Sequence, residues 1–275
     1  MKYHPNRPYP KLAGVSLKKH HGQHFLRSDL VVEDMIRHVQ LAPPAKVLEI
    51  GCGDGFLTGA ILQQPVDRLW VFEIDPDWAA VVNAKFPDGR LHIFEENFLD
   101  VDLSRLGSDA AWTVLANLPY QVTFPIFHRF RAFAHLLVEG VVMVQEEVAQ
   151  KLVAKGGRSL GFISLYFQHA FEFKLLSKVP PTVFVPAPKV DSRLVYFKPR
   201  VVRDTLVNEE EFWKFVRRCF SQPRRTIKNN LQSFHYEIAA VPDEILSLRA
   251  QQMDMESLQV LWGYLYLADN VTEKV

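Results

Sequence analysis

The chain of 275 residues is 48% hydrophobic, with a formal net charge of +1 and a sequence pI of about 7.8. This length predicts one large domain and one small domain, each around its own buried core. The near-neutral charge excludes a protein that is basic over its whole surface, and no apolar run is long enough to span a membrane.

The two cysteines, Cys52 and Cys219, give neither a disulfide framework nor the spacing of a zinc site. This pattern fits a reducing compartment. The N-terminus also lacks the apolar segment of a secretory signal. We therefore expect a cytoplasmic protein that needs no metal ion and does not associate with a membrane.

The N-terminal segment is basic, since no Asp or Glu occurs before Asp29. Its basic residues include Lys2, Arg7, Lys11, Lys18 and Lys19. We interpret residues 1–22 as a flexible basic arm. Ser28 or Asp29 is then expected to cap a helix, because apolar residues recur at three- and four-residue spacing from Val31 to Val39.

Apolar runs at 46–50, 69–74, 91–94, 112–116 and 138–145 alternate with helical segments. Such alternation builds βαβ units on a parallel sheet, which predicts an α/β fold. The stretches 162–176 and 190–197 are predicted as two later strands, separated by a proline-rich loop at 179–188. The apolar spacing becomes helical after residue 208, so we predict domains at residues 1–200 and 201–275.

A glycine-rich loop follows the first predicted strand. Glu49 precedes three alternating glycines, Gly51, Gly53 and Gly55, and a helix is expected at 56–64. Glycines let a backbone approach a ligand closely, and a carboxylate beside them can face a cationic or hydrogen-bond-donating ligand. The loop alone is weak evidence, because it is also typical of dinucleotide-binding folds.

Two further strand ends carry polar residues. Glu73 follows the run 69–72, at the position where an acidic side chain commonly holds a ribose. The segment 117–120, Asn-Leu-Pro-Tyr, follows the run 112–116. Its amide and aromatic ring suit a flat, amino-bearing ring such as adenine. Taken alone, the Asn-Leu-Pro-Tyr segment could equally well be a turn with a capping Asn, and Glu73 could be a solvated strand end.

The last quarter of the chain contains a basic cluster. It consists of Arg217, Arg218, Arg224, Arg225 and Lys228. A local patch of this kind on a near-neutral chain is typical of a protein that contacts phosphates on one face, although a solvated helix surface has the same composition.

Five segments together resemble the ribosomal RNA adenine N6-dimethyltransferase family. They are Gly22–Leu26, Glu49–Gly55, Asn117–Tyr120, Phe184–Ser192 and Arg224–Leu231. The fourth segment, with its Phe-Pro-Pro-Val-Ser spacing, is the most specific. The fifth segment and the stretch at Arg249 resemble the small-subunit (16S) branch of that family.

The resemblance implies a Rossmann-like class I methyltransferase sheet with a small all-helical C-terminal domain that contacts RNA. It further implies a monomer that uses S-adenosylmethionine and methylates two adjacent adenines in a hairpin near the 3′ end of 16S rRNA, within a precursor of the small ribosomal subunit. The implied cofactor-binding residues are Gln23, His24, Leu26, Glu49, Gly51, Gly53, Glu73, Ile74, Asn97, Phe98 and Asn117.

The resemblance also implies the catalytic residues Asn117, Leu118, Tyr120 and Phe184. The Asn117 side-chain oxygen and the Leu118 carbonyl would accept the two amine hydrogens of a flipped adenine, which Tyr120 and Phe184 would sandwich. No general base or metal is required. The chain departs from the family pattern at His24 and Asn97, where the family usually has Asn and Asp.

Three alternatives remain open from the sequence. A methyltransferase of the 23S, macrolide-resistance type would share these motifs. A non-catalytic ribosome assembly factor could keep the fold, and only the departures at His24 and Asn97 favour it. A dehydrogenase would share the glycine loop, but the Asn-Leu-Pro-Tyr segment and the lack of an obvious acid for hydride transfer argue against it.

Overall fold

The computed structural model describes residues 11–12, 15–16, 24–107, 111–234 and 236–272. Within the predicted basic arm it describes one short antiparallel pair, β1 (Lys11–Leu12) and β2 (Val15–Ser16). The remainder of the arm lies outside the described residues, as does Gln23. Among the described helices, none is both long enough and apolar enough to cross a membrane.

Seven strands form the central sheet, in the order β6-β5-β4-β7-β8-β11-β9. Their bounds are β4 Ala45–Ile50, β5 Val66–Phe72, β6 Leu91–Phe94, β7 Trp112–Asn117, β8 Leu137–Gln145, β9 Phe171–Val179 and β11 Ser192–Pro199. Strands β4 to β8 pair in parallel, whereas β11 runs antiparallel to both β8 and β9. A separate antiparallel pair joins β3 (Phe25–Leu26) to β10 (Phe184–Val185). The predicted α/β class is therefore confirmed.

Ten α-helices accompany these strands among the described residues. They are α1 Asp29–Ile36, α2 Phe56–Leu62, α3 Pro76–Lys85, α4 Thr123–Ala132, α5 Glu146–Val153, α6 Phe162–Gln168, α7 Glu209–Cys219, α8 Ile227–Gln232, α9 Asp243–Leu246 and α10 Met255–Thr272. The helices predicted after Ser28 and after the glycine loop are confirmed as α1 and α2, although α2 ends two residues earlier than predicted.

The predicted strand at 162–176 is wrong in its first half, which forms helix α6. Continuous apolar runs do not distinguish a buried strand from a buried helix, and this one contains five apolar residues in seven. Gly161 is the N-cap residue of this helix, and its N–H donates to Ser164 Oγ at 3.1 Å. The strand β9 then begins at Phe171.

The central strands are covered on both faces, as a parallel sheet requires. Adjacent residues Val47 and Leu48 on β4 are fully buried, as are Val114 and Leu115 on β7. Because neighbouring side chains on a strand point to opposite faces, both faces of these strands pack against other elements. This burial fixes the carboxyl ends of β4, β5 and β7, where the candidate site lies.

The chain divides into two compact units. The first contains residues 1–149 and 171–199, and the second contains residues 150–170 and 200–275. The prediction of a single boundary near residue 200 did not assign the segment 150–170 to the second unit. This segment belongs to the second unit because Leu160 and Leu165 pack into the same core as Phe212 and Phe215.

Candidate active site

A cavity of about 330 Å³ opens at the carboxyl ends of the parallel strands. Ligands of open α/β sheets bind at this edge. The predicted site residues that line it are His24, Leu26, Glu49, Gly51, Gly53, Glu73, Ile74, Asn97, Phe98, Asn117, Leu118 and Tyr120. The structure thus gathers residues from four strand ends and from β3 around one space.

The glycine loop is shaped by backbone conformations that other residues rarely adopt. Gly51, Gly53 and Gly55 have φ angles of +74°, +53° and +80°. A Cβ atom on Gly53 would also lie only 2.9 Å from a ring carbon of Phe25. Both the conformation and the lack of space therefore require glycine at Gly53, and the loop backbone stays open toward the cavity.

Two buried carboxyl groups form the floor of the cavity. Glu49 Oε2 accepts a hydrogen bond from Thr58 Oγ1 at 2.7 Å, and burial raises the pKa of Glu49 to about 8, with a smaller contribution from the charge of Glu73. Glu73 accepts from the backbone N–H groups of Gly53 at 3.2 Å and Asp75 at 2.9 Å. Burial also raises the pKa of Glu73. These fixed oxygens can accept further hydrogen bonds from a ligand.

Asn97 lies at the wall of the cavity with both of its polar atoms engaged. Its Oδ1 accepts from the backbone N–H of Leu99 at 3.1 Å, and its Nδ2 donates to Asp100 Oδ2 at 2.7 Å. An amide oxygen has two lone pairs, so Oδ1 can still accept a second hydrogen bond from the cavity. The contact with Asp100 was not predicted from the sequence.

Asn117 and Tyr120 are held by contacts from distant parts of the chain. Asn117 Nδ2 donates to the His24 carbonyl at 3.1 Å, which leaves Oδ1 as the acceptor of the amide. The Tyr120 hydroxyl lies 2.5 Å from Ser192 Oγ, and burial raises the pKa of the phenol, so it stays neutral at physiological pH. Leu118 N–H donates to the Met143 carbonyl at 3.1 Å, which fixes the backbone between them.

Ser192 is a positioning residue that sequence reasoning did not single out. It closes the segment Phe184–Ser192, which carried part of the resemblance, and it is fully buried. Its position as the last residue of that motif was the available signal. The hydrogen bond to Tyr120 explains why a small hydroxyl side chain stands there.

Phe184 lies in the two-residue strand β10 and is buried. Its side chain is 3% exposed, packs in the hydrophobic core of the first unit, and is absent from the described lining of the cavity. Phe184 pairs with Leu26 in the β3–β10 ladder, and Leu26 itself lines the cavity. The role of Phe184 beside a bound base stays a prediction.

The predicted basic cluster separates into two groups within the second unit. Arg217 lies over the Phe162 ring at 4.8 Å, and Arg218 donates to the Tyr236 hydroxyl at 2.7 Å. Arg224, Arg225 and Lys228 are exposed. A second cavity in this unit is lined by three more cations that the sequence analysis did not assign, namely Lys155, Arg158 and Arg249.

The sheet order, with its one antiparallel strand, and the glycine loop beside an acidic strand tip define a Rossmann-like class I methyltransferase fold. A family model described as ribosomal RNA adenine dimethylase matches residues 14–258. The chain therefore belongs to the ribosomal RNA adenine dimethylase family. Its members are enzymes that transfer methyl groups to rRNA adenines, so the reaction requires a methyl donor.

The chain is similar to curated relatives over most of its length. It is 34% identical over 254 residues to ribosomal RNA small subunit methyltransferase A of Chlorobaculum tepidum, covering 92% of this chain and 90% of that protein. It is 35% identical over 259 residues to the protein of the same name from Thermotoga neapolitana, covering 93% and 94%.

Two solved structures share the fold. A dimethyladenosine transferase from Plasmodium falciparum superposes with a TM-score of 0.71 at 20% identity, covering 90% of this chain and 98% of that one. The 23S rRNA methyltransferase ErmE superposes with a TM-score of 0.69 at 22% identity, covering 88% and 99%. At these identities the likeness shows the fold alone.

Proposed function

We propose that this protein transfers methyl groups from S-adenosylmethionine to the N6 amines of two adjacent adenines in a hairpin near the 3′ end of 16S rRNA. The observation that carries the proposal is the orientation of Asn117. Its amide is turned so that Oδ1 is the acceptor, in the same cavity as the glycine loop and Glu73. The names of the relatives support the small subunit as the source of the substrate.

The residues around the cavity fit S-adenosylmethionine. The open backbone of Gly51 and Gly53 lets a charged amino acid group approach closely. Glu73 presents fixed carboxylate oxygens at a strand tip, which suits a ribose hydroxyl pair. Ile74 and Phe98 line the same cavity with apolar surface for a flat base, and Asn97 stands beside them as a hydrogen-bond acceptor. When bound, this cofactor supplies an electrophilic methyl group on a sulfonium.

Transfer would require the adenine amine to become more tetrahedral while its nitrogen–methyl bond forms and the methyl–sulfur bond of the donor breaks; the thioether would leave, and the methylated nitrogen would lose one proton to solvent. Asn117 Oδ1 and the Leu118 carbonyl would accept the two amine hydrogens and favour that geometry. Tyr120 would hold the flipped base by stacking, which contributes about 1–3 kcal/mol per base. Its neutral phenol, bonded to Ser192, keeps the ring fixed. Alignment of the amine with the methyl group contributes much of the remaining rate.

The second unit would contact the RNA backbone. Arg224, Arg225 and Lys228 are exposed cations, and Lys155, Arg158 and Arg249 line a cavity of their own. Arg217 and Arg218, which already pack on aromatic rings, would contribute less. Such contacts position RNA without reading its bases. We further propose that the protein acts in the cytoplasm as a monomer on a partly assembled small subunit, and that transfer proceeds without a metal ion.

Mapping of N6,N6-dimethyladenine in rRNA tests this proposal. The 16S and 23S rRNA from cells with and without the protein would be digested and analysed by mass spectrometry. We expect two adjacent dimethyladenines near the 3′ end of 16S rRNA, lost without the protein and restored by wild type but not by Asn117→Ala. Loss of a 23S modification instead would assign the other branch, and unchanged rRNA would favour a non-catalytic assembly factor.

A further inference from the structure

The imidazole of His24 lies against the ring that is proposed to hold the substrate base. The ring centroids of His24 and Tyr120 are 5.7 Å apart, with an angle of 29° between the planes. His24 Nδ1 lies 2.8 Å from the Pro186 carbonyl. Because a carbonyl can only accept, Nδ1 carries the hydrogen and donates it. The imidazole is thus held in place beside Tyr120.

The backbone of the same residue fixes the other proposed catalytic side chain. The His24 carbonyl accepts the hydrogen bond from Asn117 Nδ2 at 3.1 Å. Residue 24 therefore contacts Asn117, Tyr120 and the proline-rich segment at Pro186. A change in the imidazole would loosen its link to Pro186 and, through the backbone, the orientation of the Asn117 amide.

The residues that are proposed to hold the cofactor have other hydrogen-bond partners. Glu73 is bonded to Gly53 and Asp75, and Glu49 is bonded to Thr58. The contacts of the His24 side chain instead go to Tyr120 and Pro186. The side chain of His24, which also lines the cavity, is thus linked to a residue that is proposed to hold the substrate base.

We propose that His24 is a positioning residue for the substrate adenine, whose ring stacks on Tyr120 and holds that ring in place, and whose backbone carbonyl orients Asn117. The proposal rests on the proposed function, since it assumes that Tyr120 and Asn117 receive the base. A flipped adenine would stack on the Tyr120 ring that the imidazole holds in place. Loss of the ring therefore lowers the fraction of bound RNA in which the amine is aligned.

Three variants separate the properties of the imidazole. His24→Ala removes the ring and the donor, His24→Asn keeps a donor without a ring, and His24→Phe keeps a ring without the donor. Cofactor affinity would be measured by calorimetry with S-adenosylmethionine alone. Methyl transfer would be measured in single turnovers, at saturating cofactor, on small-subunit particles from cells that lack the protein. Thermal melting would verify that each variant is folded.

We expect cofactor Kd values within twofold of wild type for all three variants. The single-turnover rate should fall at least tenfold in His24→Ala, and it should fall by less in His24→Phe, which keeps the ring, and in His24→Asn, which keeps the donor. A weakened cofactor Kd with a normal rate at saturation would overturn the proposal and place His24 on the cofactor side. A His24→Phe rate as low as that of His24→Ala would overturn the role of the ring.

The wild-type control distinguishes failure of this proposal from failure of the proposed function. An active wild type with an equally active His24→Ala variant would overturn only the role of His24. A wild type that transfers no methyl group to the particles would overturn the proposed function, and the role of His24 with it.

Discussion

The contact between Asn97 and Asp100 leads to a prediction that differs from what the sequence alone suggests. Because the family usually has Asp at position 97, Asn97→Asp would be expected to tighten cofactor binding through a charge-assisted hydrogen bond, by on the order of 1 kcal/mol. In the structure, however, Asn97 Nδ2 donates to Asp100 Oδ2 at 2.7 Å. The substitution would replace this donor by a second carboxylate oxygen.

The magnitude of the resulting repulsion follows from the distance. Two unit charges separated by the observed 2.7 Å repel by about 1.5 kcal/mol even in a medium as polar as water. This cost offsets the gain from charge assistance. We therefore expect Asn97→Asp to bind S-adenosylmethionine no more tightly than wild type, and up to severalfold more weakly.

The double variant Asn97→Asp/Asp100→Asn should reverse this result. It restores one donor and one charged acceptor with their positions exchanged, so the charge at position 97 is no longer opposed. We expect its cofactor affinity to exceed that of wild type by about fivefold, or roughly 1 kcal/mol. Asp100→Asn alone serves as the matched control and should change the affinity by less than twofold.

Calorimetric titration of the four proteins with S-adenosylmethionine completes a double-mutant cycle. The expected coupling energy between the two positions is at least about 1 kcal/mol. Additive effects would show that the Asn97–Asp100 contact does not govern this wall of the cavity. A fivefold gain in Asn97→Asp alone would refute the electrostatic argument directly.

Further predictions concern the buried acid, the tyrosine and the basic surface. The pKa of Glu49 is raised from 4.5 to about 8, so its stabilising contribution is complete below pH 4.5 and is lost as the pH rises toward 8. The melting temperature of ligand-free Glu49→Gln minus that of wild type should therefore increase from pH 5 to pH 8. The same difference at both pH values would contradict this. Ser192→Ala removes the hydrogen-bond partner of Tyr120. It should lower the methyl-transfer rate about tenfold, while the cofactor affinity measured by calorimetry stays constant. A weakened cofactor affinity would contradict a role of Ser192 that is confined to Tyr120. Replacing Arg224 and Arg225 by Gln should weaken binding to small-subunit particles. The slope of log affinity against log salt concentration should decrease by about one to two released counterions. An unchanged slope would show that neither arginine contacts the RNA.

The sequence was sufficient to predict the strands that carry the site and the residues that follow them. Strong apolar runs end at Ile50, Phe72 and Ala116, and polar residues or glycines come directly after each of them. Since parallel strands end at one edge of a sheet, these residues were expected to meet, and the structure places them around one cavity. Periodicity and strand-end chemistry are local properties, which is why the sequence reveals them.

Contacts between distant segments could not be predicted in the same way. The bonds from Tyr120 to Ser192 and from Asn117 to the His24 carbonyl join residues 72 and 93 positions apart. They depend on the antiparallel register of β11 and on the path of β3, which no local pattern specifies. Helix α6 was missed for a related reason, because its core partners lie in the helices after residue 208.

Asn117→Ala tests the central claim most directly, because it separates binding of the RNA from the chemistry of the amine. The contact of Asn117 with the amine matters most as the nitrogen becomes tetrahedral, so its loss should act on the rate. In single turnovers at saturating S-adenosylmethionine, we expect the rate of methyl transfer to small-subunit particles to fall by at least about a hundredfold, with particle affinity within about threefold of wild type. Full activity in Asn117→Ala would contradict the assignment of this cavity as the site of adenine methylation.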